Sequence, residues 1–187
     1  FSLLRTLPDD VARRATGAAD TQGTTLLHLA VRGPGDVHWG LVEWLLERGA
    51  APLAQDAKGR NCAHLFASHP DHPALGPLVG LILQRAPGAV CARLLRARDE
   101  AGRTPLHALA LAGGTLGALE LAPSLLSAPD NDGNTALHLA IQQAVGRPPR
   151  HRLACLDSLW RAAPRNVRNQ AGQTPRRLAD TLRVWLP

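Results

Sequence analysis

The stretch Asp130-Asn-Asp-Gly-Asn-Thr-Ala-Leu-His138-Leu-Ala decides how this chain is read, because four other stretches share its layout. They are Asp20-Thr-Gln-Gly-Thr-Thr-Leu-Leu-His28-Leu-Ala, Asp56-Ala-Lys-Gly-Arg-Asn-Cys-Ala-His64-Leu-Phe, Asp99-Glu-Ala-Gly-Arg-Thr-Pro-Leu-His107-Ala-Leu and Asn169-Gln-Ala-Gly-Gln-Thr-Pro-Arg-Arg177-Leu-Ala. Their glycines, Gly23, Gly59, Gly102, Gly133 and Gly172, are spaced by 36, 43, 31 and 39 residues. Self-similarity at such a period marks a repeat architecture, in which no unit buries its apolar face alone.

Each position in the motif has a physical reason. Asp or Asn followed by Gly is turn chemistry: the short polar side chain bonds nearby backbone, and Gly takes a positive φ. Thr two residues after the Gly can cap a helix, and Pro after it fits the first helical turn, where no N–H is needed. Leu and Ala then form an apolar stripe at helical spacing. A second helix is predicted in each unit, for example Val37 to Arg48 with Leu41, Leu45 and Leu46 on one face. Gly49 is its stop signal.

The pattern D-x-x-G-x-T-P-L-H-x-A resembles the ankyrin repeat, whose period is about 33 residues. The resemblance covers about 20–187, roughly nine-tenths of the chain. Gly49 to Asp56 looks like the hairpin that leads from one ankyrin repeat into the next. The resemblance implies an all-α solenoid of stacked helix-turn-helix units with short β-hairpin loops. The units divide as 1–19, an N-terminal helix or partial capping repeat; 20–55, a repeat; and 56–98, a repeat with extended loops. Then follow 99–129, a repeat; 130–168, a repeat with an inter-helix insertion; and 169–187, a C-terminal partial or capping repeat.

Irregularities fall in the connections, where a solenoid tolerates them. His69-Pro-Asp-His-Pro73 lengthens one loop, Pro87 to Arg98 extends an exit with a helical turn expected at Ala92–Arg96, and Gly146-Arg-Pro-Pro-Arg150 separates two helices. The last motif replaces Leu-His by Arg176-Arg177, as a polar cap would. Leu106 and Leu137 are expected in the core, and the repeated His is expected to bond backbone between neighbouring units.

Composition fits this reading. The chain has two Phe, four Trp and no Tyr, so its core is built mostly from Leu, Ala and Val. That suits closely packed short helices better than a sandwich of strands. No apolar run approaches the ~20 residues of a membrane-spanning helix. Cys62, Cys91 and Cys155 show no CxxC pairing, which predicts a reducing, intracellular setting, cytoplasmic or nuclear, and not a disulfide framework. Phe1 as first residue and the absence of Met predict an excised piece of a longer protein.

Catalytic and metal readings are weak. His28, His64, His107 and His138 are the repeat histidines. His69 and His72 in a Pro-bracketed loop lack the further ligands a zinc site requires. Cys62 sits at a helix start, which can lower a thiol pKa, but no group is placed to orient a base. No glycine-rich phosphate loop exists. The sequence therefore predicts a non-enzyme with no metal and no cofactor.

By resemblance, partner contacts fall on the hairpin tips and on the fourth and fifth residues beyond the His. These are Thr21, Gln22, Thr24 and Arg32; Lys58, Arg60, Ser68 and His69; Glu100, Arg103 and Leu111; Asn131, Asp132, Asn134, Gln142 and Gln143; and Gln170 and Gln173. The set is polar and near neutral, with Leu111 as an apolar spot, which favours a protein partner over nucleic acid. Charge is uneven: the formal +6 comes from residues 141–187, which hold 9 Arg against Asp157 and Asp180. Arg147, Arg150, Arg152, Arg161, Arg165, Arg168, Arg176 and Arg177 form a candidate patch for an acidic partner. The expected function is a monomeric, non-catalytic protein-binding module, an adaptor or regulator in signalling. Two narrower readings stand beside it: an IκB-like inhibitor of a transcription factor, cellular or viral, and the substrate-recruiting part of a ubiquitin ligase.

Overall fold

The computed structural model describes residues 8–32, 39–69, 76–85, 88–114, 116, 121–145 and 149–184. Five turns recur at the five motifs, and each is closed from inside by its leading side chain. Oδ1 of Asp56 accepts from the amides of Lys58 and Arg60, both at 2.9 Å. Asp99 holds Ala101 and Arg103 in the same way, and Asp130 holds Asp132 and Asn134. The glycine one residue before the end of each turn has a positive φ, 76° at Gly133, which a side chain would strain. Strand character is slight. Among the described residues only one isolated bridge, Ala19 to Thr25, is present, so the expected β-hairpins are closed turns with little ladder.

After each turn comes a short helix. These inner helices are α2 (Leu26–Arg32), α4 (Cys62–Ser68), α7 (Pro105–Ala112), α9 (Ala136–Ala144) and α11 (Pro175–Leu182), and they pack side by side in that order. Pro105 and Pro175 begin their helices, where the missing N–H is harmless. Leu27, Leu106, Leu137 and Leu109 are buried, as the apolar stripe requires. The outer helices are α3 (Trp39–Glu47), α5 (Gly76–Arg85), α8 (Pro123–Leu126) and α10 (Pro149–Ala162). Arg85 of α5 bridges to both Glu43 and Glu47 of α3, linking two outer helices at the surface. Ahead of all these, α1 (Asp9–Gly17) touches α2, and its Thr16 hydroxyl reaches the Arg48 carbonyl beyond α3.

The second unit carries a full extra helix, α6 (Gly88–Arg96), longer than the single turn the sequence predicts there. Its attachment explains a departure from the motif. Where other units have Thr, this one has Asn61, whose Nδ2 donates to the Leu94 carbonyl at 2.9 Å. The same side chain's Oδ1 accepts from the His64 amide, so Asn61 caps α4 and ties down α6 together. A Thr hydroxyl is too short to do both.

The repeat histidines hold neighbouring units together. Nδ1 of His107 accepts the Thr104 amide at 3.1 Å. Its other nitrogen, Nε2, must then carry the proton, and it donates to the Asn134 carbonyl of the next unit at 3.0 Å. His28 reaches Arg60, His64 reaches Arg103, and His138 reaches Gln173 in the same sense. Burial disfavours the charged ring and lowers the pKa of all four, so they sit neutral in the core.

Candidate partner-binding surface

The hairpin tips form a continuous row. The amide of Ala57 donates to the Gln22 carbonyl at 2.7 Å, Glu100 to Lys58 at 2.9 Å, Asn131 to Ala101 at 3.0 Å, and Gln170 to Asp132 at 3.0 Å. Every tip is thus locked to its neighbour by the same backbone bond. Side chains add to it: Gln55 donates to the carbonyls of Gly59 and Arg98, and Arg98 donates to those of Gly102 and Pro129. The row is rigid because its hydrogen bonds are made within the protein.

Exposure along the row is uneven. Thr21, Gln22, Lys58, Glu100, Asn131, Asp132 and Gln170 stand exposed on the tips, and Arg32, Ser68 and Gln142 on the inner helices. Thr24, His69, Arg103, Leu111, Gln143 and Gln173 are half-buried. Asn134 is the correction. It is only 8% exposed, and its side-chain oxygen accepts from Asn169 Nδ2 at 3.0 Å. Its position one residue past the Gly turns inward in this unit because the neighbouring unit offers Asn169 as donor. Its side chain therefore fastens one unit to the next and faces away from the exposed row.

Some expected contact residues also work inside the protein. The Arg60 guanidinium bonds Asp56 Oδ2 at 2.7–2.9 Å. Burial opposes ionisation of Asp56, but Arg60 and the turn amides outweigh it and hold the carboxyl below its usual range. Asn131 donates to the Glu100 carbonyl, and Gln170 donates to that of Asn131. These three residues fasten the row as well as facing outward.

At the C-terminal end Arg161, Arg165, Arg168, Arg176 and Arg177 are exposed. Arg165 lies over the Trp160 ring at 4.7 Å and donates to the Trp160 carbonyl, so its head is held in place. Arg147, Arg150 and Arg152 lie outside the residues whose side chains are described. So does the loop half of the His69–His72 pair. Among the described residues, no three His, Cys, Asp or Glu side chains are gathered as metal ligands. Cys62 is buried and its thiol donates to the Pro52 carbonyl; burial pushes its pKa up to about 12. Desolvation by burial outweighs the helix start at this thiol.

Two exposed apolar residues carry no signal in the sequence. Leu29 follows a repeat His, in a position that reads as core. Trp39 opens α3, packs obliquely on Phe66 at 5.6 Å, and edges a groove with Glu43, Pro77, Gly80, Leu81 and Gln84.

The ankyrin repeat family model matches residues 22–57. The crystal structure of EF0377, an ankyrin repeat protein, superposes with a TM-score of 0.65. That likeness spans 96% of this chain and 89% of that one at 16% identity, a likeness of fold. No curated protein matches the sequence. The chain has the fold of an ankyrin-repeat solenoid, and residues 22–57 match the ankyrin repeat itself. Repeats of this kind are in general protein-interaction modules, and no helix of the described residues is long and apolar enough to cross a membrane.

Proposed function

We propose that this chain is a non-catalytic module that binds a protein partner along the row of hairpin tips and the adjoining inner helices. The observation that carries the reading is the unbroken chain of cross-tip backbone bonds from Gln22 to Gln170. It presents Thr21, Lys58, Glu100, Asn131 and Asp132 in fixed register, so little ordering cost falls on binding. Lys58 on one tip and the acidic Glu100 and Asp132 on the next two suit a partner surface of mixed charge, read by position as much as by net sign. The role is that of an adaptor or regulator in signalling. An inhibitor of a transcription factor, or a substrate-recruiting unit, would use the same row.

Affinity capture tests the reading, comparing wild type with a variant in which Lys58→Glu, Glu100→Lys and Asp132→Lys are combined. All three residues are exposed on the tips, so the variant should fold. A protein retained by wild type and lost by the variant is the expected result. Equal retention by both would overturn the tip row as the site.

A second reading rests on Arg176 and Arg177, both exposed in positions where other units carry a buried Leu or Ala followed by a buried His. These, with Arg161 and Arg168, suit an acidic protein surface. Loss of capture on reversing Arg176 and Arg177 to Glu, with the tips intact, is the outcome it expects. The buried free thiols of Cys62 and Cys91 agree with a reducing compartment, the cytoplasm or nucleus.

A further inference from the structure

The residue after the repeat His shows which neighbour each inner helix faces. It is Leu65 on α4, Leu139 on α9 and Leu178 on α11, with exposures of 4%, 3% and 5%. Leu178 is the informative one. On α11 the described inner-helix neighbour is α9, on the preceding side, and Leu178 is still buried. Leu29 holds the same position on α2, whose inner-helix neighbour is α4, on the following side, and Leu29 is 53% exposed. The position therefore packs toward the preceding inner helix.

Two further observations point the same way. The amides of Ala57, Glu100, Asn131 and Gln170 each donate to the preceding tip, and Thr21 is their equivalent in the first tip. Among the described residues nothing accepts from it. In addition, α1 stands in the place of an outer helix: it lies against α2 and bonds the end of α3, with Ala12 and Thr16 buried. An outer helix of this fold packs on an inner helix of its own unit, as α10 does on α9.

We infer that the face of α2 centred on Leu29 is a seat for one further inner helix, supplied by polypeptide N-terminal to α1. Its occupant is an apolar helix of the repeat kind, preceded by a tip whose carbonyl accepts the Thr21 amide. A second copy stacked end to end does not fit. Its far end would bring Arg176 and Arg177 against Leu29, placing charge on an apolar surface.

Grafting residues 130–145, the fourth unit's tip and inner helix, directly before Phe1 of the full chain tests the seat. Nine residues, Val145 and 1–8, then join the grafted inner helix to α1, close to the six (33–38) and seven (69–75) that join inner to outer helices elsewhere. The graft should slow hydrogen exchange at the Thr21 amide by roughly tenfold or more. It should also raise the thermal midpoint. Leu29→Glu should abolish both gains in the grafted protein and leave the ungrafted chain nearly unchanged, since Leu29 there faces solvent.

Three results would overturn the inference. One is no protection of Thr21 with the graft in place. Another is a Leu29→Glu loss as large in the ungrafted chain as in the grafted one, which would mean Leu29 is already covered. The last is a concentration-dependent dimer of the ungrafted chain, seen by sedimentation and abolished by Leu29→Glu, which would assign the face to a second copy.

Discussion

His107 and Arg177 occupy the same position of the repeat, one mid-stack and one on the last helix. His107 is buried, neutral and bonded across to the next unit's carbonyl. Arg177 is exposed and contributes through its backbone, its amide meeting the Thr174 hydroxyl that caps α11 and its carbonyl accepting from the Thr181 hydroxyl. The neighbouring position tells the same story, with Leu137 fully buried and Arg176 exposed. What the difference teaches is that the motif encodes two separate things. The turn and the cap are local and persist at every unit, whereas Leu and His are interface residues and are kept only where an interface exists.

The largest expected contrast is in the core. Leu137→Ala should cost about 2–5 kcal/mol of stability in urea unfolding, while Arg176→Ala stays within about 0.5. If the two costs were similar, the position would not distinguish interior from end.

The turns give the next contrast. A Cβ on Gly133 would lie 2.8 Å from the Gln170 amide nitrogen of the neighbouring tip, whereas nothing lies within 4 Å of one on Gly172. Both have positive φ. Gly172→Ala should therefore cost only the left-handed strain of about 1–2 kcal/mol, and Gly133→Ala distinctly more. Matched unfolding curves of the two variants check it.

His107→Ala takes away the acceptor of the buried Thr104 amide and one of the two donors to the Asn134 carbonyl, the Asp130 amide remaining, and should cost about 1–3 kcal/mol. Arg177→Ala at the end should be close to neutral. A cost at Arg177 comparable to that at His107 would show a hidden interface at α11.

The gentlest effect is on pH. Burial lowers the folded-state pKa of His28, His64, His107 and His138 below 6.5. The unfolded chain then binds more protons than the folded one as pH falls through 6.5. Their contribution is fully present above pH 6.5 and is lost progressively below it. Stability measured at stepwise lower pH should decline, and replacing His64 and His107 by Gln should flatten that decline. A stability that rises on acidification would contradict neutral buried rings.

Much of this was legible in the sequence because its causes are short-range. Asp130 to Gly133 specify a turn, Thr135 a cap, and Ala136 to Ala144 an apolar stripe, all within one stretch of chain. The candidate surface was less so. Asn134 reads as a tip residue like Thr24, yet its environment depends on Asn169, 35 residues away, which supplies a hydrogen bond. Arg60 and Arg103 read alike, yet only at Arg60 is the guanidinium seen bridging to the carboxylate of its own turn. The extra helix α6 was marked only by Ala92–Arg96, because Asn61, the residue that anchors it, looks in sequence like an ordinary cap.

By itself the sequence determined the unit: turn, cap, inner helix, and the repetition that obliges units to stack. It also determined that Arg176 and Arg177 end the apolar interface, since charge cannot be buried there without a partner. Only the tertiary structure decided which side of each helix meets which neighbour. Leu29 and Leu139 follow the same His in the same motif, and one is exposed while the other is buried. Periodicity places both on one helix face, but burial depends on whether a neighbouring helix is there to cover it.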